Sequence, residues 1–232
     1  VNQKFTNPRI SFDGKYWYLS VGIEQTKEKE ELTKEVIGID LGIKDTAILS
    51  NGKKYKNINK KVNIKKTKKR LKRLQKQVSR KYENNKEGNR YHKTANIVKL
   101  EKQIRLLHRK LANIRLNYNH QITTEIVKTK PSQIIIEDLN IKGMMKNRHL
   151  SKAIAEQSLY QFTQLLTYKC ELYGIKLVKA DRWFPSSKTC SECGCVKSTL
   201  KLSDRVYKCE ECGSEIDRDL NAAINLSNYK CS

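Results

Sequence analysis

Two Cys-x-x-Cys pairs, Cys190/Cys193 and Cys209/Cys212, stand just upstream of the acidic segment Asp217-Arg218-Asp219. Few patterns restrict a chain more. Two knuckles joined by a linker of this length let four thiolates converge tetrahedrally on one Zn²⁺, whose binding energy can fold a segment too small to hold a core of its own. Gly194 and Gly213 each follow the second cysteine of a knuckle, where the chain must turn tightly and a residue without Cβ bends at least cost. A pair of disulfides is the rival reading. Against it, Cys170, Cys195 and Cys231 make the cysteine count odd, and no secretory h-region opens the chain. The spacing Cys193-x-Cys195 fits a knuckle poorly, so Cys195 is read as a bystander thiol. A zinc ribbon with ligands Cys190, Cys193, Cys209 and Cys212, leading into a carboxylate site, is the first expectation.

The formal net charge is +24 on 232 residues, a self-repulsion that a polyanionic partner would neutralise. Nucleic acid is the leading candidate. The 38% hydrophobic content suffices for one sizeable domain with an attached module. No apolar run approaches the roughly 20 residues needed to span a bilayer. A basic membrane-surface protein would set its lysines opposite a broad apolar face, whereas the basic segments here carry only a narrow aliphatic seam. A cytoplasmic protein of prokaryotic type, associated with the nucleoid and with no membrane partner, is therefore expected.

The chain opens on a strand-like pair, 9–12 and 16–21, around Asp13-Gly14, a strong hairpin signal. A lone hairpin is marginal in water, so this one is expected to have belonged to, or still to pair with, a larger β structure. The chain reads as the C-terminal part of something longer, with a charged linker from Lys27 to Lys34. The main domain begins with the strand 36–42. Alternation sets Ile37, Ile39 and Leu41 on one face and Gly38, Asp40 and Gly42 on the other. Glycines flanking Asp40 are read as room for a bulky ligand to approach the backbone. Strands at 46–50 and 53–55 complete an antiparallel meander through the Asn51-Gly52 turn.

From residue 60 to about 130 the period changes. Ile64, Thr67, Leu71, Leu74 and Val78 recur at steps of three and four, as do Ile97, Leu100, Ile104, Leu107, Leu111, Ile114 and Tyr118. Two long amphipathic helices are predicted, folding back across the polar stretch 84–89. The first carries Lys65, Lys66, Lys68, Lys69, Arg70, Lys72, Arg73 and Lys76 without one acidic residue. Such a row destabilises a helix unless phosphates neutralise it, so Lys65, Lys68, Lys69, Lys72 and Arg73 are nucleic-acid contact candidates. Further on come a buried strand at 133–139, a helix from about Ser151 to Tyr173 with Leu159, Phe162, Leu166 and Tyr173 as its core stripe, a strand at 175–180, and a last helix from Asp217 through Asn228. Glu137 and Asp138 point to opposite sides of their strand, so at most one joins Asp40.

Asp40, Glu137 and Asp217 or Asp219 are hard oxygen ligands drawn from distant parts of a basic chain. Such a set can hold Mg²⁺, with waters and substrate phosphate completing the shell, and two ions could serve phosphodiester hydrolysis.

The segments Gly38-Ile39-Asp40-Leu41-Gly42, Ile136-Glu137-Asp138-Leu139-Asn140, 185–194 (Pro-Ser-Ser-Lys-Thr-Cys-Ser-Glu-Cys-Gly) and 217–225 (Asp-Arg-Asp-Leu-Asn-Ala-Ala-Ile-Asn) closely resemble the RuvC-like region of TnpB, the OrfB-type transposon-encoded proteins related to type V CRISPR effector nucleases. The resemblance spans nearly the whole chain in the family's order. It implies an α/β, RNase H-like (RuvC) fold with a long helical-hairpin insertion and an inserted zinc ribbon. The implied layout is a wedge-domain hairpin remnant at 1–26, RuvC-like parts at 35–59, 131–185 and 217–232, the basic helical hairpin at 60–130 and the ribbon at 186–216. It also implies Mg²⁺ or Mn²⁺ held by Asp40, Glu137 and Asp219 as catalytic acids, Asp217 then being a helix N-cap. Arg218 and Lys188 join the nucleic-acid contact candidates, Arg218 being equally well read as salt-bridged. DNA is the implied target, with a guide RNA in the full-length form and an association with transposition. Family members carry a further N-terminal half that binds guide and target motif. Its absence here leaves open a second expectation, a non-cleaving nucleic-acid-binding fragment that regulates transposition.

Overall fold

The computed structural model describes residues 4–24, 31–201 and 204–230, so the first part of the expected linker and the Cys231 thiol lie outside the described residues. In chain order the elements are β1 (Phe5–Phe12), β2 (Trp17–Ile23), β3 (Val36–Asp40), β4 (Asp45–Leu49), β5 (Lys54–Lys56), α1 (Val62–Asn84), β6 (Lys86–Glu87), β7 (Arg90–Tyr91), α2 (Ala95–Val127), β8 (Gln133–Glu137), α3 (Ile141–Met144), α4 (Ser151–Gln157), α5 (Leu159–Tyr173), β9 (Lys176–Ala180), β10 (Val206–Lys208), β11 (Glu215–Asp217) and α6 (Arg218–Ser227). They divide into two compact units, residues 1–27 with 59–117, and residues 28–58 with 118–232.

In the first unit the two predicted helices form as α1 and α2, each driven by its aliphatic seam: Ile64, Leu71, Leu74, Ile97 and Leu111 are buried. The polar turn between them is not bare loop, because Lys86–Glu87 and Arg90–Tyr91 pair as a minimal hairpin around Gly88. The expected β1–β2 hairpin forms, with Phe12 opposite Trp17 and Ile10 opposite Leu19 and a register shift between Thr6 and Arg9. The larger β structure expected around it is not found among the described residues, where its sheet has two strands. Asp13 anchors it instead. One Asp13 carboxylate oxygen accepts from the Lys15 and Tyr16 amides, and the other accepts from the Tyr18 hydroxyl at 2.7 Å and from the Arg109 guanidinium of α2. The Arg109 group also lies 5.1 Å from the Tyr16 ring.

The second unit is built on a five-stranded sheet of order β5-β4-β3-β8-β9. The first three strands run antiparallel as the predicted meander, while β8 and β9 add parallel to β3 through helical crossovers. One face packs Ile37, Ile39, Ile134 and Ile136 against Ile122, Ile126 and Val127 of α2 and Leu159, Phe162, Leu166 and Cys170 of α5. Each such side chain removed from water contributes about 1.5–3 kcal/mol. The last turns of α2 thus belong to this core, and the division between the two units falls after residue 117. The opposite face receives α6, with Leu226 against Ile135, Val178 and Ala180.

Two expectations are corrected here. Gly38 does not open space for a ligand, because a Cβ there would sit 2.0 Å from the Ala223 carbonyl oxygen and 2.4 Å from the Ser227 nitrogen. The glycine lets α6 lie directly on β3. The helix expected from Ser151 to Tyr173 is broken at Ser158, which adopts φ 55°. The break redirects the chain so that Leu159, Phe162 and Leu166 reach the core while buried Gln157 donates Nε2 to the Gly42 carbonyl at 2.8 Å. Among the described residues no helix is long and apolar enough to cross a membrane.

Candidate active site

The sheet register assembles the acidic site. Ile39 of β3 lies opposite Ile136 of the parallel strand β8, so the next residues, Asp40 and Glu137, end neighbouring strands side by side. By alternation both leave the sheet on the face that α6 covers, and α6 begins at Arg218 with Asp219 in its first turn. The crevice beyond the carboxyl ends of parallel strands is where open α/β sheets bind ligands. Burial, followed by the negative fields of Glu137 and Asp219, raises the Asp40 carboxyl well above the usual carboxylate range, with Arg218 offsetting part of the effect. Two acids far from Asp40 in sequence therefore act on it.

Each remaining acid has an identified partner. The Ser186 hydroxyl donates to Glu137 Oε1 at 2.6 Å. Asp219 Oδ1 accepts from Arg218 Nη2 at 2.9 Å and Nε at 3.1 Å. Asp217 caps α6, its Oδ1 accepting from the Asp219 and Leu220 amides, while Lys54 Nζ lies 2.8 Å from its Oδ2. Burial raises its pKa, but Lys54 and the capping amides outweigh that and hold Asp217 below its ordinary value. Asp138, one residue past the strand, lies 2.6 Å from Arg182 Nη2, whereas Glu137 is the acid whose charge acts most on Asp40. Of the second acidic pair, Glu137 is thus the member that joins Asp40.

The cysteines lie nearby in the chain. Among the described residues, Cys190, Cys193, Cys209 and Cys212 form a set whose sulfur atoms all lie within 4.8 Å of one another and could hold a metal ion. Cys195 is outside this set, and buried Cys170, its thiol pushed up to about 12 by burial, packs in the main core. Gly194 at φ 77° and Gly213 at φ 71° make the left-handed turns that each knuckle requires. Tyr207 is fully buried against Cys190 and Cys209 and donates its hydroxyl to the Lys188 carbonyl at 3.1 Å. The β10–β11 hairpin then ends at Asp217, so the cysteine module runs directly into the cap of α6.

Four contributors escaped the sequence reading. Asn221 and Asn225, one turn apart on α6, clamp the segment between β9 and the first knuckle: both donate to the Thr189 carbonyl, at 2.7 and 2.6 Å, and Asn225 also donates to Ser186 at 2.7 Å. Ser186, so held, reaches Glu137, and Lys54 reaches Asp217. The i, i+4 asparagines were the available signal. Of the basic candidates, Lys65, Lys69, Lys72 and Arg73 are exposed on α1 and Lys68 is half-buried there. Lys188 is exposed beside Ser186, and Arg218 is engaged with Asp219.

A family model described as "Probable transposase", OrfB_IS605, matches residues 19–148, and one described as "Cas12f1-like, TNB domain" matches residues 160–226. A Streptomyces pristinaespiralis protein named "Putative RNA-guided DNA endonuclease" is 34% identical over 210 residues, covering 90% of this chain and 49% of that protein. The similarly named InsQ of Escherichia coli K12 is 29% identical, covering 90% and 53%. The CRISPR-associated endodeoxyribonuclease Cas12f1 of Sulfoacidibacillus thermotolerans is 35% identical over 131 residues, covering 54% and 30%. This chain thus spans about half the length of the first two relatives. Among solved structures, a CRISPR-Cas12f ternary complex superposes with a TM-score of 0.64 at 23% identity, covering 93% of this chain and 43% of that one, so the fold is shared.

Proposed function

We infer the activity from a firm premise: this chain belongs to the OrfB_IS605 family of probable transposases. The proposed function is a metal-dependent DNA endonuclease core on an RNase H-like (RuvC) fold, RNA-guided in the full-length protein and associated with transposition. The observation that carries it is the parallel register that sets Asp40 beside Glu137 under the start of α6. In this reading Asp40, Glu137 and Asp219 hold Mg²⁺ or Mn²⁺, and their donor chemistry fits: burial and the charges of Glu137 and Asp219 raise the proton affinity of Asp40, a cost that a cation relieves. Such ions, when bound, activate a water and stabilise the leaving oxygen of a phosphodiester. The chain's own residues prepare the site. Ser186 orients Glu137, Asp217 caps α6 and thereby sets Asp219, and Arg218 supplies a counter-charge beside Asp219.

The cysteine set is proposed as a structural zinc site. A tetrahedral ion with zinc–sulfur bonds of about 2.3 Å separates its sulfurs by about 3.8 Å. The pairs Cys190–Cys212 at 3.7 Å and Cys193–Cys209 at 3.5 Å fit that spacing. Lys65, Lys68, Lys69, Lys72 and Arg73 are proposed phosphate contacts, as is Lys188.

The experiment is cleavage of labelled DNA with Mg²⁺ or Mn²⁺, using the chain alone and the chain extended at its N-terminus by the corresponding half of a relative with guide RNA. Loss of cleavage in Asp40→Ala and Asp219→Ala with binding retained supports the reading, and full cleavage by both variants overturns it. The second reading, a non-cleaving nucleic-acid-binding regulator, is favoured by the Arg218–Asp219 pair, which neutralises one of the three acids internally. Binding without metal-dependent cutting in either form would select it.

A further inference from the structure

Trp183 is the most exposed of the large hydrophobic side chains among the described residues, at 86%. A single exposed apolar residue needs no explanation by itself. What sets this one apart is the stiffness of the backbone that presents it. The Trp183 amide donates to Asp181 Oδ1 at 2.8 Å and the Phe184 amide to the Asp181 carbonyl at 3.0 Å, closing a tight turn. The Asp181 amide donates in turn to the Tyr229 hydroxyl at 3.2 Å, and the Phe184 ring meets the Tyr229 ring edge-on at 4.9 Å, fastening the turn to the layer beneath α6. Arg182 is tied to Asp138. The indole is therefore held out by a fixed turn.

The second observation is its place. Trp183 lines a cleft of about 370 Å³ together with Glu137, Ser186, Arg182 and Lys188. An aromatic face, two cations and the carboxylates of Glu137, Asp138 and Asp181 share a single opening, with Arg182 paired to Asp138. Sites for single-stranded nucleic acid use two of these parts, a cation at a phosphate and an aromatic face on which bases stack without regard to sequence. A duplex offers no such face, because its bases are already stacked on one another.

We propose that Trp183 is a stacking shelf that holds one unpaired DNA base beside the carboxylate site, with Lys188 taking a flanking phosphate. The proposal rests on the nuclease reading for what the strand is there for, and it makes Trp183 a positioning residue. Stacking adds affinity that is tolerant of sequence and releases no counterions, so it shifts binding at every salt concentration without changing the salt slope.

The test titrates the full chain with a dye-labelled oligothymidylate, by fluorescence anisotropy at several salt concentrations and without added divalent ions. Trp183→Ala is expected to weaken binding roughly five- to 150-fold at each salt with an unchanged slope, while Trp183→Phe keeps most of the affinity. In a Trp17→Phe background, where Trp183 is the remaining tryptophan, the oligonucleotide should quench the intrinsic fluorescence. Unchanged affinity in Trp183→Ala, absence of quenching, equal losses in the Ala and Phe variants, or the same dependence with duplex DNA each overturns the shelf. Cleavage plays no part in this assay. Binding through Trp183 with no cutting in Mg²⁺ by either the chain alone or its N-terminally extended form sinks the nuclease reading and keeps the shelf, and cutting with Trp183-independent binding does the reverse.

Discussion

At Asp40 the chain keeps a carboxylate where its neighbours oppose its charge, an arrangement that costs stability and serves a cation. Asp40→Asn keeps the shape and removes the charge. We expect its thermal midpoint in metal-free buffer to equal or exceed that of the parent chain, while metal-dependent cleavage falls to background. A marked loss of stability would instead make Asp40 a structural residue. Two positions earlier the constraint is steric. A methyl group at Gly38 meets backbone atoms of Ala223 and Ser227 that cannot rotate away, so Gly38→Ala should destabilise by about 1–3 kcal/mol or more as α6 is forced off β3. Chemical denaturation measures it, and an unchanged midpoint would deny the close approach.

Among the elements, α2 and α5 are joined by a buried lysine. Lys169 Nζ donates to the His120 carbonyl and to the Thr123 and Thr124 hydroxyls, all at 2.7 Å. Burial lowers its pKa. The folded state therefore releases its proton more readily than the unfolded chain, and this group's contribution to stability rises with pH between the lowered value and about 10.4. Lys169→Met removes that rise and takes the shared donor from the His120 carbonyl and the two hydroxyls, at about 1–3 kcal/mol near neutral pH. Melting curves from pH 8 to 10.5 for both proteins make the comparison, and parallel pH profiles would refute it. The cysteine module has Tyr207 as its one fully buried large side chain among the described residues, too little to fold alone. Cys209→Ser should lower zinc content from one equivalent toward zero and unfold the β10–β11 hairpin, which also presents Asp217. Metal analysis beside far-UV circular dichroism decides it, and full zinc with an intact spectrum would exclude the assigned ligand set.

For the whole molecule, a net charge of +24 makes nucleic-acid affinity a steep function of salt. Neutralising Lys68, Lys69, Lys72 and Arg73 together should weaken binding to unrelated sequences alike and reduce the slope of log affinity against log salt by up to about 3–4 on duplex DNA. An unaltered slope would make that face of α1 solvated surface. This charge, the helical seams and the cysteine spacing were legible without coordinates because each is a local or periodic property of neighbouring residues. So was the alternation that set Ile37 and Ile39 against Asp40 and allowed at most one of Glu137 and Asp138 to join it, while the choice of Glu137 came from the resemblance. The resemblance named the three acids, but the field of Glu137 on Asp40 comes from a register between β3 and β8 that no local pattern encodes. The duty of Gly38, the break at Ser158 and the asparagine clamp on Ser186 depend on which backbone lies across from them. By itself the sequence determined the elements, their amphipathic faces and the kinds of ligand the chain can attract. Tertiary structure alone decided which distant groups share a site, because packing and register are long-range properties that one residue's chemistry does not contain.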